Sequence, residues 1–76
     1  LGTMPNVQQE REHLAKADRD IADGERRVAE QIILIEQMRK DGHDTALAEE
    51  FLRNLEQTLE QWHAHRRLIL DAIARG

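Results

Sequence analysis

Val7, Leu14, Ile21, Val28 and Ile35 recur every seven residues. Such a repeat keeps one apolar stripe of a helix turned toward a partner helix, so the spacing predicts a coiled-coil-like arm. No stretch alternates with period two, which excludes strands. The line three residues further on, Glu10, Ala17, Gly24, Gln31 and Met38, is small or polar for much of its length. The first helix, roughly residues 6–40, therefore carries a narrow stripe that widens between Ile32 and Met38. At a rise of about 1.5 Å per residue it is about 50 Å long.

A second arm follows a stop-and-restart signal in "MRKDGHDTALAEEF", Met38 to Phe51. Arg39 and Lys40 suit the negative end of a helix. Gly42 can take the left-handed conformation that closes one. Asp44 or Thr45 can cap the next helix, and Glu49 and Glu50 lie near its positive end. A turn over 41–44 is short enough to make the helices antiparallel neighbours. Beyond it, Ala48, Leu52, Leu55, Leu59, Trp62, Arg66, Ile69 and Ile73 step by four and three, with only Arg66 breaking the apolar series. Phe51, Thr58, His65 and Ala72 flank that stripe on one side and Leu70 on the other. The second helix, roughly 45–74, is thus broadly amphipathic.

Size and composition narrow the class further. A chain of 76 residues is one domain. With 34% charged and 39% apolar residues, few Gly and a single Pro, it has the balance of long solvated helices. The absence of Cys removes disulfides and thiolate metal sites. A net charge of −4 argues against a phosphate-backbone partner, which rewards a basic face. The longest apolar run, Ile32 to Ile35, falls far short of the ~20 residues that cross a bilayer, so no membrane span is expected. The start, Leu1-Gly2-Thr3-Met4, has neither the basic region nor the apolar core of a secretory leader. Leu1 to Thr3 read as a cloning remnant ahead of a natural Met4, residues 1–5 as a disordered N-terminus, and the compartment as bacterial cytoplasm.

A hairpin turning near His43 pairs residues whose numbers add to about 86. Ile35 then meets Phe51, Val28 meets Thr58, Leu14 meets Ala72, and Gly24 lands opposite Trp62. A mid-helix Gly costs about 1 kcal/mol relative to Ala. Either its missing side chain makes room for the indole, or it lies on the solvated side. Arg66 falls across from Asp20, within a turn of Asp18 and Asp23. It either pairs there and sets register, or extends its head to water.

Two helices cover only one side of each other's stripe. Phe51, Leu55, Trp62, Leu68, Ile69, Leu70 and Ile73 cannot all point at the first helix. Nor can Ile32 to Ile35 all point inward, because successive helical residues are about 100° apart. Exposed apolar faces of this kind mark association surfaces. Two hairpins stacking their stripes close a four-helix bundle, and a two-fold homodimer is the commonest closed form. The competing occupant is a different protein. The core and interface residues expected on this reading are Leu14, Ile21, Val28, Ile32, Ile35, Phe51, Leu52, Leu55, Leu59, Trp62, Ile69 and Ile73, with Gly24 and Arg66 setting register.

Little in the chain suggests chemistry. There is no Ser, Cys or Tyr, and Thr45 and Thr58 have structural explanations as a cap and a stripe neighbour. His63 and His65 are two apart and point about 200° away from each other on a helix, so they cannot share an ion. No His-x-x-x-His spacing replaces them, and His43 belongs to the turn. No Gly-rich phosphate loop exists. The doublet Arg26-Arg27 is ringed by Asp20, Asp23, Glu25 and Glu30, so no basic stripe emerges. No cofactor or metal is expected, and a slim bundle offers no pocket for independent catalysis.

Two resemblances bear on function. His13 in "EHLAKAD", on the first helix of a dimerising hairpin, resembles the phosphotransfer module of bacterial two-component systems. There an acid follows the exposed His and a Pro comes soon after. Here Glu12 precedes His13, Leu14 follows, and no Pro follows. The second lies in "DGHDT", 41–45, and "FLRNLEQTLEQWHAHRRLIL", 51–70. It resembles a group of uncharacterised short two-helix proteins of alphaproteobacteria such as rhizobia. Their common features are an Ala- and Arg-rich first helix, an Asp-Gly-x-Asp-Thr turn and a His-rich end to the second helix. The similarity runs from about His13 onward and implies a fold and a bacterial source, but no activity. The favoured expectation is an all-α antiparallel hairpin that dimerises and acts as a small non-catalytic interaction or regulatory protein. The alternatives are a phosphotransfer protein using His13 and an accessory subunit of a nucleic-acid regulator.

Overall fold

A computed structural model describes residues 6–76; the expectations for residues 1–5 lie outside that range. Two helices account for the described residues, α1 over Val7–Lys40 and α2 over Ala46–Arg75. Asn6 opens α1, its side-chain oxygen accepting a hydrogen bond from the Gln9 amide at 3.2 Å. The exit from α1 has a specific closing pattern. The His43 amide donates to the Met38 carbonyl at 2.9 Å, and the Gly42 amide donates to the Arg39 carbonyl at 3.1 Å. These two reversed bonds satisfy carbonyls that the helix end leaves free, and they require a left-handed residue between them. Gly42 supplies it with φ of 76°. Of the two cap candidates for α2, Asp44 makes the bond, accepting from the Ala46 amide at 2.9 Å, while the Thr45 side chain makes none.

The helices run antiparallel, as contacts at three levels establish. Near the turn, Arg39 reaches Glu49 at 2.7 Å. Midway, Gly24 lies against Trp62, and near the open end Arg66 reaches Asp18 at 2.6 Å. The result is a rod measuring 63 × 15 × 14 Å. Its radius of gyration is 17.6 Å, against about 11 Å for a compact domain of this length.

The seam uses both lines of the α1 heptad. Ile21 and Ile35 from the apolar line are buried, but so are Ala17 and Gly24 from the small or polar line. Glu10, Gln31 and Met38 of that second line are half-buried. Gln31 also crosses the seam, its amide donating to the Ala48 carbonyl at 2.9 Å. On α2, Ile69 is buried, and Ala48, Leu52, Leu55, Leu59, Trp62, Arg66 and Ile73 are half-buried. The four-three stepping of α2 therefore gives its inner face residue for residue. The pairing rule is right at Gly24 and Trp62 and needs correction at two places. Phe51 and Thr58 are exposed beside the seam, so they are not the residues that face Ile35 and Val28. Leu52 takes the first position, lining one groove with Ile35. The reason is geometric: Phe51 and Thr58 sit one step outside the four-three series, on its flank.

Candidate interaction surface

At Gly24 the two helices pack with no room to spare. A Cβ placed there would lie 3.1 Å from Cζ3 of Trp62 and 3.2 Å from Cδ1 of Leu59. The indole therefore rests on bare backbone, and the packing role expected for Gly24 is the one found. Arg66 is paired as well: its Nε donates to Asp18, and its side chain remains 36% exposed. It extends from the seam edge to a carboxylate and is not a buried charge.

The two flanks of the seam differ in chemistry. On one, two pairs of opposite charge join the helices, Arg39 with Glu49 at 2.7 Å and Arg66 with Asp18 at 2.6 Å, and the His63 ring lies 4.0 Å from the Glu25 carboxylate. Ile32 lies on this side, in a groove with Ile35, Arg39, Glu49 and Leu52. The opposite flank holds an open groove of about 400 Å³ lined by Arg26, Arg27, Glu30, Gln31, Leu34, Phe51 and Leu55. Further along the same flank, a second groove is lined by His13, Lys16, Ala17, Asp20, Trp62 and His65. His63 and His65 thus fall on opposite flanks, as their spacing requires. His13 is half-exposed, 3.7 Å from the Glu10 carboxylate.

The run Ile32 to Ile35 straddles α1. Ile35 is buried, Ile32 lies on the ion-paired flank, Leu34 lies on the open one, and Ile33 is the most exposed of the four at 54%. Of the residues expected in the core or interface, Ile21, Ile35 and Ile69 are buried. Leu14, Val28, Leu52, Leu55, Leu59, Trp62 and Ile73 are half-buried, and Ile32 and Phe51 are exposed. Sequence reasoning did not single out Ala17, Gln31 or Leu47, the last of which is 82% exposed. The first two were visible as the second heptad line; their small or polar character hid their role.

Charge on α1 is mostly spent on α1 itself. Lys16 pairs with Asp20 at 2.8 Å, Arg27 with Asp23 at 3.0 Å, and Arg26 with both Asp23 and Glu30. The hydrogen bond from Arg26, with the nearby charge of Arg27, holds the Asp23 carboxyl below its ordinary value. The same bond raises the Arg26 guanidinium. Among the described residues no group of three or more His, Asp or Glu converges as a metal site, and no helix is long and apolar enough to cross a membrane. No protein-family model, curated protein or solved structure matches the chain.

Proposed function

We propose that the chain is a non-catalytic helical interaction module that works by self-association, two hairpins closing a coiled-coil-like four-helix bundle. One observation carries the reading. Ala17, Ile21, Ile35 and Ile69 are the only buried apolar residues described, and no described side chain is completely enclosed. Meanwhile Ile32, Ile33, Leu34, Leu47, Phe51, Leu68 and Leu70 are all exposed. Burying a fully exposed side chain of this kind gains about 1.5–3 kcal/mol, and these, 37–82% exposed, gain a corresponding part, so a second layer of helices is favoured. The shape accommodates one: a long face of a 63 × 15 Å rod offers about 900 Å² per copy, and a stable interface needs about 800 Å².

Sedimentation equilibrium or light scattering tests this directly. The expected mass is twice the 8.8 kDa of one chain, with a melting temperature that rises with concentration. A cooperatively melting monomer at high concentration would refute self-association and favour a different protein as the occupant of the face.

A further inference from the structure

Counting from Leu47 in steps of four and three, the open-flank row of α2 contains no Asp, Glu, Lys or Arg before Ala72. All nine charged residues of α2 lie elsewhere on the helix. The chain's only aromatic residues, Phe51 and Trp62, both border this row. Loss of charge and enrichment in aromatics are what distinguish the centre of a protein interface from ordinary surface.

The order of residues along the row says what covers it. Apolar residues hold both ends: Leu47 and Phe51 at one, Leu68 and Ala72 at the other. The middle is polar and uncharged, formed by Asn54, Thr58, Gln61 and His65, all exposed. The row reads the same in either direction about a point between Leu59 and Glu60. A two-fold interface demands this self-complementarity, and a heterologous partner does not.

We propose that a second copy of this chain docks α2 against α2, antiparallel, about a two-fold axis between Leu59 and Glu60. The proposal rests on the self-association reading and specifies its geometry. Phe51 meets the partner's Leu68, and Leu47 meets the partner's Ala72. Asn54 meets the partner's His65, and Thr58 meets the partner's Gln61. The polar centre fixes register, because a slip by one step sets either Phe51 against His65 or Leu68 against Asn54, depending on its direction. Gly24 against Trp62 and Glu25 against His63 place the axis near Arg27 on α1.

The absence of Cys makes the test clean. Two single variants, Asn54→Cys and His65→Cys, change exposed positions only. They are mixed in equal amounts, equilibrated above the unfolding midpoint, refolded, oxidised and analysed by mass spectrometry. Far-UV circular dichroism and the solution mass of each variant are recorded in parallel. Identical positions lie 11 residues apart along the antiparallel pair, about 16 Å, too far for a disulfide. The expected product is the mixed 54–65 disulfide in several-fold excess over either homodisulfide. A doubled mass with the mixed product no more than twice either homodisulfide, the ratio of random pairing, would overturn this geometry and leave self-association standing. A folded monomer would overturn both.

Discussion

Replacing Gly24 by Leu tests a close approach between the two helices. A Cβ alone already comes within 3.1 Å of the Trp62 ring and 3.2 Å of Leu59. Ordinary carbon contacts are about 3.5–4.0 Å, so the Trp62 ring and the Leu59 methyl must give by a few tenths of an ångström even for Ala. Leu adds three further carbons in the same direction. Overpacking of this kind costs about 1–3 kcal/mol, and the tightness of the first atom places the cost near the upper end. Against it stands a gain of about 0.8 kcal/mol in helix propensity when Gly is replaced. The net expectation is a loss of about 1.5–2 kcal/mol, or roughly 6–16 °C in melting temperature for a domain of this size. Thermal melts by circular dichroism at fixed concentration measure it. Gly24→Ala serves as the companion, its propensity gain and its crowding nearly cancelling. Combining Gly24→Leu with Trp62→Ala supplies space, so the double variant should lose less than the two single losses added. If Ala and Leu both raised the melting temperature, the position would be open surface and the packing argument wrong.

Gly42 isolates backbone conformation, because its φ is 76° and nothing lies within 4 Å of a Cβ placed there. Gly42→Ala should cost about 1 kcal/mol in a thermal melt, and Gly42→Asn less, since Asn tolerates the left-handed region; equal stability of Ala and wild type would contradict the closing pattern at α1. Asp18→Ala and Arg66→Ala in a double-mutant cycle should show a coupling of about 0.5 kcal/mol, modest because both side chains are partly exposed, and shrinking in high salt. Zero coupling at low salt would mean that Arg66 does not link the helices. Asp23 has its folded pKa depressed by Arg26, so its contribution is present above the ordinary carboxylate value and is lost as pH falls through the depressed one. The melting temperature of Asp23→Asn should therefore lie below wild type near neutral pH and converge with it in strong acid; a constant gap would refute this assignment.

The fold was legible because it depends on two local signals. Heptad spacing selects helix and inner face together, which is why every member of the α2 series from Ala48 to Ile73 lies at the seam. The turn was legible from Gly42, whose positive φ is a demand few other residues meet. Less legible was the second α1 line. Ala17 and Gly24 are buried because they are small, letting α2 approach closely, and a search for large apolar residues passes over them. Gln31 is similar: its polarity suggested solvent, yet the interhelical bond to Ala48 uses that polarity inside the seam. Whether Asp44 or Thr45 bonds the first free amides of α2 was open in the sequence; Thr45 holds the cap position, and the Asp44 side chain makes the bond.

What spacing alone does not separate is one flank from the other. Leu34 and Ile32 are equally apolar, and each lies beside the seam, but their neighbours differ. Ile32 shares its groove with Arg39 and Glu49, which already satisfy each other across the helices. Covering that side would strip water from a formed ion pair, a cost that Coulomb attraction in a dry interface only partly offsets. Leu34 shares its groove with Phe51 and Leu55. The nearby charges, Arg26, Arg27 and Glu30, belong to α1 pairs that lie along its own surface and can stay at the rim. Desolvation therefore favours the Leu34 side even though the two flanks hold comparable apolar residues. On the self-association reading, that asymmetry would direct a second copy to one face and leave Ile32, Ile33 and Leu70 as apolar residues a dimer still exposes.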